Sequence, residues 1–194
     1  MDSLNSDLFL AINQLAGENT ILDASAIFIA EAMPFILIGV MVSLWFFANL
    51  NKKRISFFAG YSVLLALLLS YLIGLLYFHP RPFVLNLGSQ LVEHAADTSF
   101  PSDHTTLIFA IASSYLFSRE TLKLGVLLVL LSFLAGLARV FVGVHFPFDI
   151  IGAGLVGAVS SLSIKYLANK TDFLERFFQL FGVIQLPKRL VNRR

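Results

Sequence analysis

ISFFAGYSVLLALLLSYLIGLLY, residues 55–77, runs for 23 residues without a charged side chain. An apolar helix needs about 20 such residues to cross a bilayer core, so this stretch reads as a transmembrane span. Four other stretches share its character. Residues 32–50 are apolar, and that character extends back to Ile21, interrupted by Glu31. Residues 124–142 carry one charge, Arg139, near their end. Residues 148–167 carry Asp149 at their start and Lys165 near their finish. Residues 101–117 are shorter and open on Pro101-Ser102-Asp103-His104. One short apolar run could be a buried helix of a soluble protein, but five within 194 residues point to a membrane-embedded bundle.

Composition supports this. The chain is 57% hydrophobic and 13% charged, about half the charged content of a typical soluble domain. Twenty Phe and a mean hydropathy of +0.81 exclude disorder as well. There is no cysteine, which removes a disulfide framework, a thiolate metal site and a cysteine nucleophile. A net charge of +2 gives no bulk attraction to nucleic acid.

The expected fold is therefore an all-α integral membrane protein. It is a bundle of about five transmembrane helices with an interfacial amphipathic helix at the N-terminus. Residues 4–16 place Leu4, Leu8, Ile12 and Leu15 at helical spacing. Asp2 and Asp7 stand where a cleaved signal would carry Lys or Arg. Phe173, Phe177, Leu180 and Phe181 form a similar apolar face near the other end, followed by Lys188, Arg189, Arg193 and Arg194. Pro34 is expected to kink the first span. No repeat or linker divides the chain, so residues 1–194 read as one domain. Residues 1–20 are its interfacial helix and 168–194 its basic cytoplasmic tail.

Basic residues orient the bundle, because Lys and Arg collect on the cytoplasmic side. With five spans, one side holds Lys52, Lys53, Arg54, Arg119, Lys123, Lys165, Lys170, Arg176, Lys188, Arg189, Arg193 and Arg194, twelve of the fourteen Lys and Arg. The other side keeps only Arg81 and Arg139. All four histidines, His79, His94, His104 and His145, fall on that second side, with Glu93, Asp97, Asp103 and Asp149. Ionisable groups at a membrane protein's span ends mark a functional site by default.

The local patterns suggest what that site does. FHPRPF, residues 78–83, holds Arg81 between two prolines on a stiff, non-helical backbone. On its own this could be a headgroup anchor. SFPSDHTT, residues 99–106, opens a helix whose free N–H groups suit an anion, with Ser99 or Ser102 as candidate caps. A plain cap would have no use for His104. In ARVFVGVHFPFD, residues 138–149, His145 and Asp149 are four apart and face each other if a helix starts near Phe146. A carboxylate on one imidazole nitrogen frees the other as a nucleophile. Metal binding is the competing use of His and Asp. Two arginines nearby would repel a cation, and the usual ligand spacing is missing. Two guanidiniums, a helix N-terminus and a serine hydroxyl make a receptor for a tetrahedral oxyanion. Two histidines then suffice for hydrolysis through a covalent intermediate.

These motifs resemble the type 2 phosphatidic acid phosphatases, the integral-membrane lipid phosphate phosphatases. That family's pattern is K-x6-R-P, then P-S-G-H, then S-R-x5-H-x3-D. Arg81-Pro82, Pro101-Ser102 with His104, and Arg139, His145 and Asp149 match it in order. Gly74 replaces the family lysine, Asp103 the glycine and Ala138 the serine. With the SFPSDH string, these departures resemble the bacterial bacitracin-resistance branch, the undecaprenyl pyrophosphate phosphatases. The resemblance implies a phosphohistidine on His145, oriented by Asp149, with His104 as general acid and then base. It implies that Arg81, Arg139 and Ser102 bind the phosphoryl group, aided by N–H groups near Asp103 and His104 and by His79 in place of the lysine. It implies a polyprenyl pyrophosphate lipid substrate, no cofactor, no metal and no nucleic-acid partner. The location implied is a bacterial inner membrane, with the site on the outer face and the C-terminus inside. His94, Glu93 and Asp97 are candidates to contact a second phosphate or to tune His104, and Glu31 for an unassigned role in the first span. A phosphatidylglycerophosphate or phosphatidic acid phosphatase, a lipid phosphotransferase and a non-catalytic anionic-lipid carrier stay open as alternatives.

Overall fold

The computed structural model describes residues 3–183. Seven α-helices follow one another: α1 (Ser3–Asn13), α2 (Thr20–Phe47), α3 (Leu50–Leu76), α4 (Asp103–Leu116), α5 (Leu122–Phe141), α6 (Pro147–Lys170) and α7 (Asp172–Val183). The described residues contain no strand. Lys188, Arg189, Arg193 and Arg194 lie outside the described residues.

The expected five spans resolve into four long helices and one short one. α2, α3, α5 and α6 are long and apolar enough to cross a membrane. The helix of α2 begins earlier than the apolar run implies, at Thr20. Asn19 caps it by accepting from the N–H groups of Ile21 (2.9 Å) and Leu22 (3.1 Å). Glu31 therefore sits well inside the helix, which continues through Pro34. α4 has 14 residues and a length of about 21 Å, short of the roughly 30 Å core. It is buried among α2, α3, α5 and α6. Irregular backbone at its two ends is tolerated there because protein, not lipid, surrounds it.

Small residues and hydroxyls let the helices close on α4. A Cβ built on Gly157 of α6 would lie 2.7 Å from the Ala110 nitrogen and 2.8 Å from Phe109 Cβ. Ser114 of α4 shares hydrogen bonds with Ser161 of α6 (3.1 Å) and Ser62 of α3 (3.3 Å). Tyr115 meets Ser56 at 2.7 Å.

Both outer amphipathic helices form, but they dock by a different face from the one the leucines suggest. α1 buries Asn5, Phe9 and Asn13 and leaves Leu4 and Leu8 exposed. Asn13 donates to the carbonyls of Ser89 (2.8 Å) and Phe141 (2.7 Å) and accepts from the Ser89 N–H at 2.6 Å. Asn5 accepts from the Phe148 N–H, and Phe9 packs edge-on against Phe146. α7 buries Leu174 and Phe178 while Phe173, Leu180 and Phe181 stay exposed. Glu175 ties α7 to Arg54 of α3 at 2.8 Å. α1 thus covers the end of the bundle that carries the histidines, and α7 covers the opposite end.

The α4–α6 contact predicts the effect of bulk at its tightest point. Gly157→Leu should lower thermal stability in detergent by about 1–3 kcal/mol or more, the usual cost of overpacking. A melting curve matching wild type would show that the crossing is looser than described.

Candidate active site

Three chain segments meet at the α1-covered end. The first is the FHPRPF stretch after α3. Pro80 and Pro82 hold Arg81 extended (φ −72°, ψ 157°) at the start of a short 3-10 helix, Pro82–Leu85. Arg81 is buried. Its Nε donates to Asp97 Oδ1 (2.8 Å), its Nη1 to the Val144 carbonyl (2.9 Å) and its Nη2 to the Thr98 carbonyl (3.2 Å).

The second segment is the loop leading into α4. Ser99 is fully buried; its N–H donates to the His79 carbonyl at 2.7 Å, and its hydroxyl donates to Asp149 Oδ2. The Phe100–Pro101 peptide bond is cis. Ser102 occupies the cap position of α4, yet its hydroxyl pairs with Thr105 (3.0 Å) rather than with a free N–H. Neither Ser99 nor Ser102 caps α4 through its side chain; Asp149 has taken the first and Thr105 the second. Asp103 accepts from Ser70 of α3 at 2.6 Å. His104 follows, half-buried.

The third segment joins α5 to α6. The chain reverses at Gly143 (φ +86°), in the left-handed region that favours glycine. α6 starts at Pro147, so His145 lies just outside the helix and Asp149 in its first turn. The Phe146 N–H donates to Asp149 Oδ2 at 2.7 Å. His145 Nδ1 lies 3.4 Å from Asp149 Oδ2 and 3.0 Å from the Ser99 carbonyl. Its Nε2 lies 3.1 Å from Arg81 Nη1.

This geometry fixes the imidazole. Two oxygens face Nδ1, so Nδ1 carries the proton and Nε2 keeps its lone pair toward Arg81. Burial pushes His145 down to about 4 against the pull of its Nδ1–H donated to Asp149, and the charges of Arg81 and Arg139 act in the same direction as burial. The ring is therefore neutral at physiological pH. His94 is lowered too, by burial and by Arg81; its ring sits edge-on to His145 with centroids 6.1 Å apart.

Arg139 is 1% exposed and pairs with Glu31 of α2 through one nitrogen, at 2.9 Å. Its Nε and Nη2 are buried and have no hydrogen-bond partner. Its charge acts on His94, His104 and His145. An arginine with two buried, unused donors, whose charge reaches a neutral imidazole, suits an oxyanion.

The model of the PAP2 superfamily matches residues 56–172. The chain belongs to the PAP2 superfamily. Undecaprenyl-diphosphatase BcrC of Bacillus subtilis is 35% identical over 98% of this chain and 95% of its own length. The putative undecaprenyl-diphosphatase YbjG of Escherichia coli is 34% identical over 86% and 84%. A relative from Bacillus licheniformis, 33% identical over 94% and 89%, is named bacitracin transport permease protein BcrC. Among solved structures, Aquifex aeolicus LpxE superposes with a TM-score of 0.72 at 27% identity, covering 85% of this chain and 96% of that one. A PAP2-type phosphatidylglycerolphosphate phosphatase from Bacillus subtilis shares the fold at 20% identity, with a TM-score of 0.60, covering 87% and 86%. With four long apolar helices, the chain is a multi-pass membrane phosphatase of this superfamily.

Two of the three departures from the motif, Gly74 and Asp103, have defined surroundings. A Cβ on Gly74 would lie 2.8 Å from Thr98 Cγ2. Thr98 accepts from Arg81 through its carbonyl and from the His79 N–H through its hydroxyl at 3.1 Å. The space a side chain at position 74 would need is thus taken by Thr98, which braces Arg81. Asp103 does not reach an arginine, because Ser70 binds it on the same face of α3. Both departures border a groove of about 570 Å³ walled by Leu67, Tyr71, Leu75 and Phe78.

Most sequence-chosen residues gather in one place. Asp97 touches Arg81 and His94, these two touch His145, and His145 touches Asp149, while Glu31 and Arg139 form a separate pair. His79 stands on the far oxygen of Asp149, with Nδ1 3.4 Å from Oδ1. Glu93 is exposed. Among the described residues no group of three or more His, Asp or Glu is placed to hold a metal ion. Sequence reasoning missed Ser99 as a ligand of Asp149 and Thr98 as a brace for Arg81. Both signals lay in SFPSDH and the residue before it, but neither spacing reveals a partner from another helix.

The Glu31–Arg139 pair gives a direct expectation. Glu31→Ala would leave a buried guanidinium without its carboxylate. Because Glu31 is half exposed, the cost should be about 1–3 kcal/mol rather than the full penalty of a buried pair. Phosphatase activity should fall with thermal stability, and Glu31→Asp should restore part of both.

Proposed function

We propose that the chain hydrolyses the terminal phosphate of undecaprenyl diphosphate, giving undecaprenyl phosphate and inorganic phosphate. The observation that carries this is the neutral, Asp149-backed His145, whose Nε2 lone pair faces Arg81 and whose ring feels the charge of Arg139. Motif order and the relatives named as undecaprenyl-diphosphatases supply the substrate class. The apolar groove beside Gly74 suits a long isoprenoid chain, since its wall continues onto the membrane-facing side of α3.

The reaction proceeds in two displacements. Phosphate oxygens draw Arg81 Nη1 away from Nε2 and accept from the unused donors of Arg139. His145 Nε2 then attacks phosphorus in line, forming a P–N bond as the bond to the bridging oxygen breaks. His104 gives its proton to the departing lipid phosphate. The imidazolium so formed keeps its Nδ1 proton against Asp149, whose negative charge stabilises it. A water then attacks the phosphoryl group while His104 takes its proton, and the P–N bond breaks back to the lone pair. The α4 N-terminus beside Ser102 and Asp103 adds N–H donors to the phosphoryl oxygens. Histidine nucleophile and arginine receptor together complete this route without a metal.

The site faces outward in this proposal, on the side that carries only Arg81 and Arg139 of the basic residues. The placement supports cleavage of a carrier lipid after its cargo has been used on that face.

Detergent-purified protein should release phosphate from undecaprenyl diphosphate faster than from phosphatidylglycerophosphate or phosphatidic acid, with EDTA present, and His145→Ala should abolish release. Equal rates on all three would leave a general lipid phosphatase. Lipid binding without release would leave a carrier, and metal-dependent release would overturn the metal-free route. Attack requires neutral His145, so the active form is present above its pKa and lost below it. The limb of kcat/KM belonging to His145 should therefore lie near pH 4 rather than near 6.5. For topology, the cysteine-free chain accepts single probes. Glu93→Cys should react with an impermeant maleimide in intact cells, and Lys123→Cys only after permeabilisation; the reverse pattern would invert the proposed orientation.

A further inference from the structure

Asp149 is 0% exposed and is approached by two imidazoles, not one. Its Oδ2 receives the Phe146 N–H, the Ser99 hydroxyl and the Nδ1 side of His145. Its Oδ1 has no hydrogen-bond partner, and neither has the buried Nδ1 of His79 that faces it at 3.4 Å. This separation is just beyond the usual N–H···O range of about 2.7–3.2 Å, so a small rotation of either group closes it.

His79 is well placed to hold that position. Its backbone N–H donates to Thr98 Oγ1, and its carbonyl accepts from the Ser99 N–H. Its ring stacks on Tyr77 (centroids 5.9 Å, planes 13° apart) and leans on Phe146 at 5.3 Å. The ring is thus clamped by the loop that carries Ser99 and by the residue that begins α6. It lies on the Asp149 side of His145. The reacting phosphorus lies on the other side, beyond Nε2. His79 is therefore badly placed to bind phosphate in the lysine's stead.

We propose that His79 is a positioning residue for phosphoryl transfer. It donates its Nδ1 proton to Asp149 Oδ1 and fixes the carboxylate plane, so that Oδ2 stays aimed at His145 Nδ1. The inference rests on the proposed role of His145 as nucleophile. The requirement is greatest when His145 becomes a cationic phosphoimidazolium, because that cation pulls the carboxylate toward itself. A carboxylate pinned on both oxygens can stabilise the cation without turning away from the line of attack.

The test compares full-length, detergent-purified wild type with His79→Ala, His79→Asn, Asp149→Asn and the His79→Ala/Asp149→Asn double variant, with undecaprenyl diphosphate as substrate. His79→Ala should lower kcat by about tenfold or more while KM changes by less than about twofold, the pattern of an interaction used mainly in the transition state. His79→Asn places an amide N–H near the position of Nδ1 and should recover most of that loss. In the Asp149→Asn background, His79→Ala should cost little more, because groups acting as one unit are not additive. A raised KM with unchanged kcat would make His79 a phosphate ligand and overturn the proposal. Full additivity with Asp149→Asn would overturn it as well. So would a His79→Asn protein that regains the wild-type melting temperature without regaining rate. An active wild type with an unaffected His79→Ala sinks this inference alone. A wild type that releases no phosphate sinks the phosphatase reading, and this inference with it.

Discussion

The site is organised around one buried carboxylate. Removing Asp149 from water costs roughly several kcal/mol unless partners replace the lost hydration. The partners come from near and far along the chain: Phe146 and His145 lie three and four residues before Asp149, and Ser99 lies fifty before it. The start of α6 supplies the Phe146 N–H, the loop before α4 supplies the Ser99 hydroxyl, and the α5–α6 turn supplies His145. Each of these must be in place for the others to be tolerated, so the loop before α4 and the turn before α6 are fixed against each other. The backbone bond from Ser102 N–H to the Asp149 carbonyl, at 3.4 Å, joins the start of α4 to the same residue. Arg81 then closes the arrangement by binding the Val144 and Thr98 carbonyls on either side.

The short central helix follows from this constraint. α4 need not cross the bilayer by itself, because longer helices shield it and it presents His104 and Ser102 from below the site. Its hydroxyls and the Gly157 contact make close packing on α3 and α6 feasible. Membrane architecture and site geometry are thus two aspects of the same packing.

Much of this was legible in the chain. Charge-free stretches such as residues 55–77 give the spans, because an apolar helix in lipid has few alternatives. Arg81, His145 and Asp149 stood out because charges at span ends are costly without a use. The i, i+4 spacing of His145 and Asp149 even predicted their pairing, and the helix start near Phe146 was correctly placed. Contacts between distant segments left no such mark. Nothing in the sequence marks Asn13, yet it bonds Ser89 and Phe141, 76 and 128 residues further along the chain. The leucines of α1 say nothing of the opposite face, where Asn5, Phe9 and Asn13 make its contacts with the bundle. Glu31 was visible as an anomaly, but its partner Arg139 lies 108 residues away.

The manner in which α1 docks has a mechanical consequence. Asn5, Phe9 and Asn13 bolt it to Phe148, Phe146 and the end of α5, while Leu4 and Leu8 stay exposed. A helix with a bare apolar edge is thereby fastened directly to the walls of the reaction chamber. Any force on that edge passes to the end of α5 and the start of α6, so the chamber walls move with α1 and not independently of it.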